Sequence, residues 1–504
     1  MNEIINWLNS VVWSSALVYL IIGVGLFYSI ATRFFQIRLL KDMIKLTFSG
    51  NSSAEGVSSF QAISMSIGSR VGIGNIAGVA TAITLGGPGA VFWMWVMALF
   101  SASTSFVETT LAQVYKSKQD GQYRGGTPYY IGKGLKLEWY AVLFAIITMI
   151  SMTILVPGIQ VNTIAISMKS AFGISPVITG GILVLLLSVV IFGGIRRIAK
   201  AAEIIVPFMA IGYILVCLYI LLTNFSQLPS VISLIFSSAF STHATFGGLI
   251  GSAIAWGVQR GAFSNAAGFG SETFESGAAE VSHPAKQGLV QAFSVYIVTL
   301  ILCSATAFMI LVTGMYNVES PSGESLVNNI GKVEAGAVNA QLAVESVLPG
   351  LGAPFVAISI FFFAFTSLIT YSYKAETSLA YINRNRKVKV TWPLTVLKVA
   401  LLVGVFYNCT NSAEFAWGLG DLGFGVMTWL NFAAILLLTK PALKVLKDYE
   451  RQKKVGIDPV FNPTKLGIKG ADFWEEEYQQ RETKEKEYAQ INYYPSKEEK
   501  TQSL

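Results

Sequence analysis

The chain has 504 residues, 53% of them hydrophobic and 13% charged, with a mean hydropathy of +0.55. Soluble domains carry about a quarter charged residues, so an ordinary soluble protein is excluded. The net charge of +7 does not mark a nucleic-acid binder, because the basic residues sit at the ends of apolar runs and form no continuous patch. Cys217, Cys303 and Cys409 lie in or beside apolar runs without metal-like spacing, which predicts packing residues and no disulfide framework.

In chain order, the N-terminal "MNEIINWLNS" lacks a basic n-region, so the first apolar run is expected to be a retained span. Runs of about twenty apolar residues match a bilayer. Read against Gly, Pro and charge clusters, they predict eleven spans near 11–32, 60–84, 88–113, 139–171, 177–195, 202–223, 246–269, 287–315, 349–381, 391–409 and 416–438. An extra helix at 11–32 thus precedes two halves of five, 60–223 and 246–438, in a membrane domain over 1–440. A charged tail occupies 441–504.

Every second connector is basic. One set carries Arg33, Arg38, Lys41 and Lys45, then Lys116 to Lys136, then Arg196, Arg197 and Lys200, then Lys286, then Arg384 to Lys389 and the start of the tail. The positive-inside rule puts this set in the cytoplasm of a multi-pass cell-membrane protein, with the N-terminus outside. The other face includes 316–348, a polar, weakly acidic outer connector long enough to cover a vestibule. The tail is expected to begin with a short amphipathic stretch and continue loosely ordered or helical.

Spans two and seven are the unusual ones. Span two reads "SMSIGSRVGIGNIAGVATA" and span seven "FGGLIGSAIAWGVQRGAFSNAAGFG". Glycine-rich interruptions at corresponding positions of two halves point to broken helices at a midplane site. Close helix packing through small residues is the other reading of either span alone. An unwound stretch survives in a bilayer only where something satisfies its backbone. A zwitterion and a cation can do so, the carboxylate on freed amides at a half-helix N-terminus and the cation on freed carbonyls.

The stretch Gly86 to Ser101, "GGPGAVFWMWVMALFS", resembles the signature of the sodium:alanine symporters, the alanine-or-glycine:cation symporter family. Further similar motifs are "VGIGNIAGVATAI", "ETTLAQVYKSK", "YRGGTPYYIGKGL", "GVQRGAFSNAAGFGS" and "FAFTSLITYSYKAE", in the family's order and covering roughly residues 10 to 445. The resemblance implies an all-α LeuT-type fold, a five-plus-five inverted repeat preceded by one extra helix. The chain departs from the family's pattern at Ala266, where Glu is usual, at the three acids of "ETFESGAAE", and at Thr370 and Tyr371, which replace a Gly-Trp pair.

By this resemblance, Ile73, Gly74 and Asn75 lie in the unwound part of span two and hold the substrate, and Trp256 and Gly257 mark the break in span seven. Residues two apart do not share a helix face, so only one of Gln160 and Asn162 faces the pocket; the resemblance implies Gln160, because the similar family segment keeps a glutamine there, and Tyr371 is expected to line it. Thr366 and Ser367, with the carbonyls of Gly68 and Val71, resemble a sodium site of hard oxygens; helix back-bonding is the alternative for these hydroxyls. Arg70 needs a carboxylate partner, with Glu108, Glu203, Glu376 and Asp421 as candidates. His283 and His243 fall in polar connectors.

The implied function is import of a small neutral amino acid, alanine or glycine and at the edge of the range serine or glutamine, by symport with Na⁺ as the coupling ion. Its partners are the substrate, the ion and the lipid bilayer, with no nucleic acid and no obligate protein partner. A proton-coupled permease of the same fold is the alternative, and a non-transport membrane sensor a more distant one. An enzyme is not expected, because no nucleophile is paired with a base.

Overall fold

The computed structural model describes residues 2–50, 52–53, 55–240, 249–333, 335–386 and 392–478. His243, Lys387, Lys389 and the tail beyond 478 lie outside the described residues.

Among the described residues, helices stand at all eleven predicted positions. Seven are long continuous apolar helices: span one ending in Ser15–Ala31, span three Gly89–Val114, span four Glu138–Phe172, span six Gly194–Thr223, span eight Pro284–Val312, span nine Gly352–Asn383 and span eleven Ala413–Leu437. Spans five (Pro176–Ile191) and ten (Trp392–Asn408) are shorter. Span two is split into 2a (Ser59–Arg70) and 2b (Ala77–Gly86), and span seven into 7a (Ile250–Asn265) and 7b (Thr273–Ala278). Each half of five therefore opens on a broken helix.

Local sequence explains the ends. Span 2a starts with a capping box: the Ser58 hydroxyl accepts from the Gln61 amide at 3.1 Å and Gln61 Oε1 accepts from the Ser58 amide at 3.1 Å. Proline occupies the first turn of spans five and eight, where its missing N–H costs nothing. Span six begins at 194 rather than 202, so Arg196, Arg197 and Lys200 sit on its first turns; long basic stems reach the surface from inside a helix end.

Helices in lipid gain little from burying one another's apolar area, so contact depends on close approach. Span 7a packs on span three at Gly257, where an added Cβ would stand 2.6 Å from the Ala90 carbonyl and from Trp93 Cβ. Spans three, eight and nine form the buried centre, and span six exposes most of its apolar surface.

The connectors hold more structure than the sequence suggested. An amphipathic helix, Asn2–Val12, precedes span one and lies on span eleven, with Asn9 Nδ2 donating to the Gly418 carbonyl at 2.8 Å. Between the halves is a further helix, Leu228–Ala239. The 316–348 connector folds into a hairpin of Asn317–Glu319 and Ser325–Asn328 and a helix, Ala337–Glu345, that packs on 2b and span nine.

The tail begins with the expected amphipathic helix, Thr439–Lys454, but the chain to 478 then folds back onto the basic face instead of running loose. The Phe461 amide donates to the Ser282 carbonyl at 2.9 Å, and Trp474 Nε1 to the Gln113 carbonyl at 2.9 Å. Tyr123, Phe473 and Trp474 surround the Lys116 ammonium at 4.5, 4.6 and 4.9 Å from the ring centroids. Buried aromatic anchors on a cation explain why this charged segment is ordered.

Candidate functional site

The first break lies at Val71–Ile76. Val71 leaves the helix at φ −78°, ψ 76°, Gly72 follows at φ −117°, ψ −148°, and Ile73–Asn75 form a single 3₁₀ turn before 2b begins. Gly72 is required by space: a Cβ there would stand 2.8 Å from Gln160 Oε1 and 3.0 Å from Ser367 Oγ. The break is thus held between span four and span nine.

Gln160 Oε1 accepts a long bond from the Ile73 amide at 3.4 Å, and its Nε2 donates to the Tyr371 hydroxyl at 3.1 Å. Ile73, Gln160 and Tyr371 are brought together. Asn162 points elsewhere, donating to the Asn411 carbonyl at 2.6 Å. Gly74 sits under Phe263, whose ring would be 2.9 Å from an added Cβ.

Asn75 Nδ2 lies 2.9 Å from Ser264 Oγ, 3.2 Å from Cys303 Sγ and 3.4 Å from the Val298 carbonyl. That carbonyl is in a π-helical stretch, Tyr296–Cys303, where the wider turn loosens the helix's own bonding. Asn75 Oδ1 is buried and accepts no hydrogen bond among the described residues, which leaves a strong acceptor for an ammonium group or a cation. Ser264 was missed by sequence reasoning; the signal was its place beside Asn265, two polar residues ahead of the second glycine cluster.

Thr366 and Ser367 meet the end of 2a. Thr366 Oγ1 lies 3.1 Å and Ser367 Oγ 3.0 Å from the Gly68 carbonyl, and Ser367 Oγ is 3.3 Å from the Ser69 carbonyl. Both hydroxyls also reach the Phe363 carbonyl, at 2.8 and 3.2 Å, so back-bonding and the contact across to 2a coexist. Val71 is buried one turn on, with its backbone already out of the helix. Neutral oxygens converging here, without thiolate or imidazole, fit a hard cation.

The second break is not at Trp256 and Gly257. Helix 7a runs through both, Gly257 serving the contact with span three. The chain unwinds at 266–272, where Ala266, Gly268 and Gly270 have φ of 51°, 86° and 71°; two glycines in the left-handed region make this the low-strain place to break. Glu108 satisfies the freed backbone, accepting from the Gly268 amide at 3.0 Å and the Gly270 amide at 3.2 Å, and Asn431 Nδ2 donates to Glu108 at 2.8 Å and to the Gly268 carbonyl at 2.9 Å. These amides are occupied by the protein's own carboxylate.

Buried ion pairs bracket the first break. Along 2b, Arg260 pairs with Asp421 at 3.5 Å and lies 4.6 Å from the Trp417 ring and 5.2 Å from the Trp256 ring. Trp256 therefore belongs to this layer and not to an unwound segment. On the 2a side, Arg70 pairs with Glu272, Nε to Oε2 at 3.8 Å, and donates to Ser105 Oγ at 3.1 Å, the Gln291 carbonyl at 3.2 Å and Ser294 Oγ. None of the four expected carboxylates is its ion-pair partner. Glu108 holds the second break, Glu203 pairs with Lys200, Glu376 with Arg124 and Lys398, and Asp421 with Arg260. Lys374 Nζ completes the layer, 2.8 Å from Glu272, 3.4 Å from Glu275 and 2.6 Å from Ser69 Oγ.

Comparison with known proteins gives the family. The model of the sodium:alanine symporter family matches residues 1–463. The YrbD protein of Bacillus subtilis is 59% identical, over 95% of this chain and 98% of its own length. A "Sodium/proton-dependent alanine carrier protein" of Bacillus sp. strain PS3 is 49% identical (88% and 99%), and the "Sodium/alanine symporter AgcS" of Methanococcus maripaludis 35% (90% and 98%). Among solved structures, a mutant Eremococcus coleocola manganese transporter aligns with a TM-score of 0.50 at 15% identity, over 84% of this chain and 88% of that one, a likeness of fold alone. The chain belongs to the sodium:alanine symporter family and is a multi-pass membrane transporter, not an enzyme.

Proposed function

We propose that the protein imports a small neutral amino acid, alanine or glycine first, together with Na⁺. The observation that carries this reading is the convergence of Thr366 and Ser367 hydroxyls on the Gly68 carbonyl directly beside the unwound Ile73–Asn75 turn. Na⁺ sits among these oxygens with the Val71 carbonyl, and fixes 2a where it meets the substrate turn. The substrate carboxylate lies at the start of 2b, whose N-terminal amides and dipole favour an anion. Asn75 Oδ1 takes the ammonium. Gln160 and Tyr371 close over the side chain and limit its size.

The two ion-pair layers serve as alternate gates. The basic connectors face the cytoplasm, so the Arg260–Asp421 layer closes the outer path and the Arg70–Glu272–Lys374 layer the inner one. Residues 1–440 form the transport domain and 441–504 a cytoplasmic tail. The printed names of the relatives from strain PS3 and M. maripaludis support alanine as substrate and Na⁺ as an ion used.

Uptake into proteoliposomes tests this. An inward Na⁺ gradient at fixed pH should drive accumulation of labelled alanine, and a panel of unlabelled amino acids should compete in the order of side-chain size. Accumulation that ignores Na⁺ while following a pH gradient would replace Na⁺ by H⁺.

A further inference from the structure

The inner layer holds one more acid than its cations balance. Arg70, Lys374, Glu272 and Glu275 are joined by ion pairs and their side chains are buried to 1% exposure or less. Glu108 is fully buried and acts on Arg70 from span three. Two cations thus face three carboxylates in the buried interior, where an uncompensated charge is very costly. One proton would balance the group.

The hydrogen bonds single out its place. Glu108 accepts from two backbone amides and Asn431. Glu272 Oε1 accepts from Lys374 Nζ, Ser69 Oγ at 3.2 Å and Ser271 Oγ at 3.1 Å. Neither Glu275 oxygen accepts a well-formed hydrogen bond among the described residues. The Lys374 ammonium donates to Glu272 and Ser69 and stands 3.4 Å from Glu275, an ion pair without a hydrogen bond of good geometry.

Among the described residues, no group other than Lys374 makes an ion pair with Glu275. Span 2a brings Arg70, span three Glu108, and span nine Lys374, Tyr371 and Tyr373. The strand Gln122–Arg124 brings Arg124, which shares Glu376 with Lys398 and makes no ion pair with Glu275 among the described residues. Span eight contributes Gln291 and Ser294 to Arg70, its Lys286 is paired with Asp458, and His283 at its N-cap is paired with Asp448.

We propose that Glu275 is a proton-binding site, neutral in this conformation and exchanging its proton when the inner layer parts. The step is a proton transfer alone: one carboxylate oxygen gains a proton from water on the open side and returns it to water later. Glu272 caps helix 7b and Glu275 lies in its first turn, and Lys374 links them to 2a. Deprotonation of Glu275 would draw Lys374 from Glu272 and so alter the hold of one broken helix on the other. This makes the opening of the layer sensitive to pH. The coupling part of this inference rests on the transport reading, and the protonation part does not.

Infrared spectroscopy of the purified full chain tests protonation without any substrate. At about pH 7 the wild type should show the carbonyl stretch of a neutral carboxylic acid, Glu275→Gln should lose it, and Glu275→Asp should shift it. Absence of the band in the wild type, or its full retention in Glu275→Gln, overturns the assignment. In proteoliposomes under a fixed Na⁺ gradient, the wild-type ratio of alanine uptake at about pH 6 to that at about pH 8 should differ from one, and in Glu275→Gln it should flatten to about one. A wild-type rate indifferent to pH, or an unchanged pH profile in the variant, overturns the coupling.

Discussion

The Tyr371 hydroxyl accepts from Gln160 Nε2 at 3.1 Å, while the other end of Gln160 faces the Ile73 amide at 3.4 Å. One glutamine thus ties the unwound turn of span two to span nine across the place where a substrate side chain would lie. Tyr371 stands where the family usually carries Trp, and it is smaller and polar. Tyr371→Phe should leave Gln160 Nε2 without its partner, at a cost of about 1–2 kcal/mol, and weaken apparent substrate affinity by roughly five- to thirtyfold. Tyr371→Trp should narrow the competition profile toward alanine and glycine with Na⁺ dependence unchanged. An unaltered profile in both variants would remove Tyr371 from the pocket.

The ion site gives the second prediction. Thr366→Val with Ser367→Ala removes two hard oxygen donors and keeps the volume nearly constant. The Na⁺ concentration for half-maximal uptake should rise at least several-fold, while maximal uptake at saturating Na⁺ falls less. If the Na⁺ titration of a well-expressed double variant overlays the wild type, the ion binds elsewhere.

Spans and breaks were legible to different degrees. The eleven predicted positions follow from apolar runs and alternating basic connectors, because a bilayer core calls for runs of about twenty apolar residues. The first break was legible in "VGIGN", where glycine and asparagine interrupt an apolar helix. The second was misplaced, because Gly257 and Gly268 look alike in sequence, yet one serves helix packing and the other a left-handed turn. Arg70 could not be matched to Glu272 from sequence, since pairing across 202 positions depends on how 7b returns beside 2a. The ordered tail was hidden by its charge: Phe461, Phe473 and Trp474 are its only large buried aromatic anchors between 455 and 475, and their docking surface exists only in the fold.

Orientation gives the third prediction. With the basic connectors in the cytoplasm, a cysteine at Ser325 should react with an impermeant maleimide on intact cells, and one at Lys454 only after permeabilisation. Both positions are exposed. The reverse pattern would invert the topology and exchange the roles of the two ion-pair layers.

The tail gives the fourth, through His283 and Asp448. His283 Nδ1 accepts from the Ala285 amide at 3.2 Å, so its Nε2 carries the hydrogen and faces Asp448 Oδ2 at 3.3 Å. Burial pushes the His283 imidazole below its ordinary value of 6.5, outweighing the pull of Asp448. Burial alone would raise Asp448, but donors from His283 and Gln452, with Arg451 nearby, hold it below the ordinary carboxylate range. Both groups bind fewer protons when docked than when free, so docking strengthens as pH rises. Its contribution is complete above the free histidine value and is lost as pH falls through the lower docked values. Limited proteolysis after Lys453 and Lys454 should therefore be slow at about pH 8 and faster at about pH 5. His283→Asn, which removes the titrating group, should flatten that dependence, and Asp448→Asn, which removes the pull that holds the His283 value up, should steepen it. Trp474→Ala, which empties the ring stack over Lys116, should loosen the segment at both pH values by about 3 kcal/mol. Equal cleavage of wild type and Trp474→Ala at both pH values would mean that these contacts do not hold the tail.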